Sequence, residues 1–146
     1  MPRRPDTPNE GVRRGRWGED VAVEHLRSLG YVVVERNARP CRGDRRLEID
    51  VVAYDRARDI MVFVEVKQHK ARTDRDRRLR SIDRRKLDLL RRACRAWIGR
   101  NRWHGARRFD VVEIFGEPQS SAPPEIDHVE RVRLFERPDR YVNWSD

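Results

Sequence analysis

The segment Glu65-Val66-Lys67 closes the most apolar stretch of the chain, Ile60–Val66. Two residues apart, Glu65 and Lys67 project from one face of a strand. A carboxylate and an ammonium ending an interior strand are costly unless paired or bound to a metal. Upstream, Leu47–Tyr54 reads Leu-Glu-Ile-Asp-Val-Val-Ala-Tyr, with Glu48 and Asp50 on a shared face. Asp50 precedes Glu65 by 14 intervening residues, and the connection Asp55–Asp59 is short and polar, which predicts a hairpin. Carboxylates from neighbouring strands, converging near one lysine, suit a hard divalent cation. Mg²⁺ takes oxygen ligands and keeps most of its water, so one or two protein carboxylates suffice. The lysine would add a point charge beside a phosphate. A Glu-x-Lys by itself is more often a structural cross-strand ion pair, and the combination is what favours a site.

Composition narrows the partner. Lys and Arg number 34 against 25 Asp and Glu among 146 residues, giving a net charge of +9. Such a surplus favours a polyanion, nucleic acid first. Only Lys67, Lys70 and Lys86 are lysines and the other basic residues are arginine, so each lysine calls for a reason. Lys70–Lys86 carries nine basic residues against three Asp, and Lys70, Arg72, Arg75, Arg77, Arg78, Arg80 and Lys86 are expected to track phosphates. The runs Tyr31–Val34 and Ile60–Val64 are far short of a membrane span. The basic N-terminus has no apolar signal segment, and Cys41 and Cys94 lack disulfide-scaffold or zinc spacing. A cytoplasmic protein is expected, with no membrane partner; a homodimer is compatible with the chain but not indicated by it.

The elements that must position these residues follow from periodicity. Residues 1–15 read as a disordered basic arm, 16–135 as one domain and 136–146 as a polar tail. A first helix is expected over Arg16–Leu29, capped by Gly30, with Trp17, Val21, Ala22, His25, Leu26 and Leu29 on its buried face. Glu19 borders that face. Strands are expected over Tyr31–Asn37, Leu47–Tyr54, Ile60–Gln68, Arg108–Phe115 and Ile126–Phe135. A second helix should start at Asp83 as N-cap and stop at Gly99, with Lys86, Leu90, Ala93, Cys94 and Trp97 on one face. The order α-β-β-β-α-β-(β) is that of an α/β domain, a mixed central sheet flanked by helices.

Four segments, taken together, resemble a known family. Gly15-Arg16-Trp17-Gly18-Glu19, Glu48-Ile49-Asp50-Val51-Val52-Ala53, Val62-Phe63-Val64-Glu65-Val66-Lys67 and Arg108-Phe109-Asp110-Val111-Val112 are similar to the YraN-like proteins. These are small bacterial predicted endonucleases of the PD-(D/E)xK, restriction-endonuclease-like superfamily. The resemblance spans about residues 15–135. It implies a restriction-endonuclease-like fold, Asp50 and Glu65 as metal ligands, Lys67 as the catalytic lysine, and Glu19 as a further acidic residue, as in archaeal Holliday-junction resolvases. Two departures stand out. Gly43 is displaced from the position directly before Glu-Ile-Asp, and Gln68-His69-Lys70 with an Arg/Asp-rich segment replaces the family's Phe-Gly-x-Pro loop.

The function expected is metal-dependent hydrolysis of phosphodiester bonds in DNA, branched or single-stranded. Asp50, Glu65 and the Val66 carbonyl would hold Mg²⁺ or Mn²⁺. The rival is a non-catalytic nucleic-acid-binding module on the same fold. Among the other residues, Asp110 is expected to pair with an arginine, His25 to pack in the core, His69 to be a solvated strand-end residue, and Cys94 to act as a small hydrophobe. Trp103 falls in a loop where it could stack on a base. His128 begins the last strand and matches a histidine often present there in the family.

Overall fold

The computed structural model describes residues 10–71 and 84–134. Seven elements follow one another: α1 (Glu10–Ser28), β1 (Val32–Ala38), β2 (Ile49–Asp55), β3 (Ile60–His69), α2 (Arg84–Asn101), β4 (Ala106–Phe115) and β5 (Glu125–Val129). The five strands form one sheet in chain order, antiparallel except for the parallel pair β3–β4. That parallel pair needs a crossover, and α2 lies in the connection. β2 and β3 form the expected hairpin, with Val52 opposite Phe63 and Val51 opposite Val64.

Each face of the sheet carries one helix and one core. Val52, Met61, Phe63, Phe109 and Val111 pack with Leu90, Ala93, Cys94 and Trp97 of α2. Val51, Ala53, Val62, Val64, Val112 and Ile114 pack with Ala22, Val23 and Leu26 of α1. β3 and β4 are therefore covered on both sides, which is why they read as continuous apolar runs. A mixed five-stranded sheet between two helices is consistent with the restriction-endonuclease-like fold.

Several boundaries differ from expectation. α1 begins at Glu10, so residues 10–15 of the expected arm are helical. Its C-terminus is as expected: Gly30 has φ +87°, its N–H donates to Arg27 O and the Tyr31 N–H to Leu26 O. This is a Schellman turn, and Tyr31 packs back beside Leu26. The turn swings Leu29 outward, leaving it 49% exposed rather than on the buried face. Gly99 does not stop α2. The helix continues to Asn101 and the same turn forms around Arg102, at φ +52°, with the Trp103 N–H donating to Ile98 O. A helix ends where left-handed backbone and a hydrophobic closure coincide, and Trp103 against Ile98 supplies the closure. The last strand ends at Val129, well before Phe135, because residues 130–134 leave the ladder. Asp83, the expected N-cap, lies outside the described residues.

Candidate functional site

Two irregularities in the sheet shape its margin. In β1 the register shifts between Val33 and Glu35. Val33 packs on the α1 side, whereas the Glu35 carboxylate accepts a 2.7 Å hydrogen bond from Trp97 Nε1 on the α2 side. An extra residue in a strand reverses which face its successors meet. A second break falls at Asp50. Ile49 and Val51 are two residues apart yet lie in opposite cores, so strict alternation fails there and Asp50 can reach both sides of the margin.

The β2–β3 ladder runs only to Val51–Val64. Beyond it the Val66 N–H has no backbone partner on β2 and donates instead to Asp50 Oδ2 at 2.8 Å. The N–H and C=O of an extended residue point the same way, so the Val66 carbonyl is turned towards Asp50 as well. The Glu65 carboxyl group lies beside Asp50. Burial first, then the neighbouring Glu65 charge, pushes Asp50 up to about 7, against the pull of the Val66 N–H. Glu65 is only 8% exposed, and its Oε2 has no hydrogen-bond partner. Its Oε1 meets Lys86 Nζ of α2 at 3.3 Å.

On the α1 side, Asp50 opens into a cleft of about 370 Å³ with Arg16, Glu19, Asn37, Val66 and Gln68. Gly18 faces the Gln68 side chain across the cleft, and a Cβ there would displace its amide end. Glu19 Oε1 accepts hydrogen bonds from Arg36 Nε at 2.8 Å and Asn37 Nδ2 at 2.9 Å. Consecutive strand residues normally face opposite ways. Here Asn37 has φ +49°, and both reach one carboxylate. Arg36 and Asn37 carry no motif signal, and only the left-handed turn assigns them to the site.

Lys67 stands two residues beyond Glu65 and pairs in register with the fully buried Glu113 of β4. His69 is not a solvated strand end: its Nε2 lies 3.4 Å from Glu113 Oε1 and its ring stacks on Phe115 at 4.9 Å. Glu48 is set apart from the pair, 3.7 Å from Arg39. Lys70 is exposed after β3. Lys86, expected on the inward face of its helix and among the phosphate contacts, brings its amine to Glu65. Arg72, Arg75, Arg77, Arg78 and Arg80 lie outside the described residues.

A second charged cluster has no counterpart in the sequence reading beyond the Asp110–Arg pairing. Arg108, 2% exposed, forks onto Asp110 at 2.8 and 2.9 Å, donates to the Tyr31 hydroxyl at 2.7 Å, and approaches Asp55 at 3.7 Å. His128 Nε2 lies 2.8 Å from Asp110, and its Nδ1 lies 2.9 Å from His25 Nε2. His25, half-buried, is thus tied to His128 rather than simply packed. Burial alone would raise Asp110, but hydrogen bonds from His128 and Arg108 overcome it and lower its pKa. Among the described residues, Asp110, His128 and Glu130 offer three ligand atoms within 4.8 Å of one another and could hold a metal ion. The Arg108 guanidinium already supplies the positive charge there.

The fold and its marginal acidic pair define the class, a small mixed α/β domain of restriction-endonuclease-like architecture. Residues 18–114 match the model of the uncharacterised protein family UPF0102. The chain is 42% identical over 120 residues to a UPF0102 protein of Mycobacterium sp. (strain JLS), covering 81% of this chain and 83% of that one. It is 35% identical over 134 residues to a UPF0102 protein of Pelobacter propionicus, covering 91% and 86%. The chain belongs to the UPF0102 family, the YraN-like group. Among the described residues, no helix is long and apolar enough to cross a membrane.

Proposed function

We propose that this protein is a metal-dependent nuclease that hydrolyses phosphodiester bonds in DNA, branched or single-stranded. The carrying observation is the Asp50–Glu65 carboxylate pair beside the Val66 backbone, with one buried carboxylate oxygen unpartnered. That donor set fits a hard cation, which would offset the paired negative charge and complete the orphaned oxygen. Asp50, Glu65 and the Val66 carbonyl would hold Mg²⁺ or Mn²⁺. Such an ion, when bound, polarises a phosphate oxygen and lowers the pKa of water.

The remaining roles belong to the chain. Lys67, on the same strand face as Glu65, offsets negative charge as it develops on the phosphate during in-line displacement. Glu19, fixed by Arg36 and Asn37, faces the same cleft and orients water there. Lys86 holds Glu65 in place before metal arrives. Lys70 and the arginines of 72–80 attract the phosphate backbone.

The test is cleavage of duplex, single-stranded, flapped and four-way DNA with Mg²⁺ or Mn²⁺. Lys67→Ala is expected to lose about 10²–10³ in rate, the scale for removing one transition-state contact, and Asp50→Asn to cleave negligibly. Both should still bind DNA. The Lys86–Glu65 ion pair favours one rival, a binding module whose acidic pair is structural. Residual cleavage identical in wild type and both variants would decide for that rival.

A further inference from the structure

Along α1, Gly15, Gly18, Ala22 and Leu26 recur at i, i+3, i+7 and i+11, the stripe that packs on the sheet. Ala22 and Leu26 are fully buried, and Gly18 meets the Gln68 side chain. At Gly15 the stripe runs past the sheet margin. The residue is exposed, and it lines the cleft of about 370 Å³ that leads to Asp50. A Cβ at this position would meet no atom within 4 Å. Glycine inside a helix weakens it, and no close contact among the described residues requires one here. What the missing side chain leaves is open space on the helix face that borders the acidic site.

Arg16 brings positive charge to that space. It is the one basic residue in the cleft wall. Its spacing from Glu19, i to i+3, is that of an ion pair on a helix. Glu19 turns elsewhere: its Oε1 accepts from Arg36 Nε at 2.8 Å and from Asn37 Nδ2 at 2.9 Å. Arg36 Nη2 also donates to Asp20. Both carboxylates beside Arg16 on α1 are thus answered from β1. Among the described residues, no hydrogen bond or ion pair holds the exposed Arg16 guanidinium. A guanidinium presents a planar fork of donors that matches two phosphate oxygens.

We propose that this cleft is a phosphate subsite for the substrate strand. The strand crosses the bare Gly15 face of α1, and Arg16 forks onto a backbone phosphate neighbouring the one at the acidic pair. The inference rests on the nucleic-acid part of the proposed function, not on catalysis.

Binding of the full chain to a labelled oligothymidylate is measured by fluorescence anisotropy over a range of salt. EDTA is present, so cleavage plays no part. Arg16→Gln is expected to lower the slope of log K against log salt by about 0.7, the worth of one single-strand phosphate contact, or about 5-fold in affinity at 0.1 M salt. Arg27→Gln is the control. Arg27 is exposed on the same helix, outside the cleft and about 16 Å further along, and its loss should leave the slope unchanged. Gly15→Leu alters no charge and fills the space. It should weaken binding by at least the same 5-fold while melting no lower than wild type, because leucine is the better helix former. Wild-type affinity in Gly15→Leu would overturn the cleft as the binding place. A slope in Arg16→Gln equal to that of Arg27→Gln would overturn the arginine contact. Either result, with tight wild-type binding, leaves the proposed function standing. Wild-type protein that binds no oligonucleotide would overturn both readings.

Discussion

Asp50 keeps its proton to about pH 7 because it is buried against Glu65, and that has a consequence for stability. Its pKa in the folded chain lies above the ordinary carboxylate value, so the folded state binds the extra proton. Stability from this group is therefore full below about pH 4 and is lost as pH rises through about 7. The metal-free protein should show a urea midpoint that falls between pH 5 and pH 8. Asp50→Asn should flatten this fall and, at pH 8, be the more stable protein by on the order of 1–3 kcal/mol, the usual cost of a buried polar group short of partners. Mg²⁺ should raise the melting temperature of wild type at pH 8 and leave Asp50→Asn unmoved. An equal pH slope in the two proteins would mean that the Asp50 charge is not the source.

The helices end by the same device with different residues. In α1 the left-handed position is Gly30, and in α2 it is Arg102. A side chain there costs roughly 1 kcal/mol. Gly30→Ala should therefore lower stability by about 1 kcal/mol, and Arg102→Gly should raise it by up to that amount, both read from chemical denaturation. Opposite signs are expected from two substitutions at equivalent turns. Loss of stability in Arg102→Gly would show that the guanidinium, and not the backbone, matters to the fold. The strands carry a second device. The register shift in β1 sends Glu35 to Trp97, and the break at Asp50 sends a carboxylate to the Val66 N–H. A regular alternation would have placed neither there.

Across the whole domain, Arg108 ties parts that are distant in sequence. It joins β4 to Asp55 at the hairpin end, Tyr31 after α1 and Glu130 after β5. Removing one partner of a buried charged network leaves the others uncompensated and typically costs 3–5 kcal/mol. Arg108→Ala should lose stability on that scale in urea unfolding, and Arg108→Lys should recover only part of it, because lysine cannot fork onto Asp110. A loss under about 1 kcal/mol would show that water replaces the guanidinium.

Element order, the β2–β3 hairpin, the Gly30 turn and the shared face of Glu65 and Lys67 were legible in the sequence, because each depends on local periodicity or on one turn. The chain by itself also singled out Asp50, Glu65, Lys67 and Glu19, through residue type and spacing. Tertiary structure decided the rest. Lys86 on Glu65, Arg36 and Asn37 on Glu19, Trp97 on Glu35, and the Arg108–Asp110–His128–His25 chain all join residues of different elements. Spacing alone does not announce them, for the partners are set by where the strands shift register and where the helices dock. Gly99 failed as a helix stop because the cap needs a hydrophobic closure, and Trp103 closes the turn three residues later, around Arg102. Local pattern fixes which elements form and which face is apolar; only packing brings charges from separate elements within hydrogen-bonding distance.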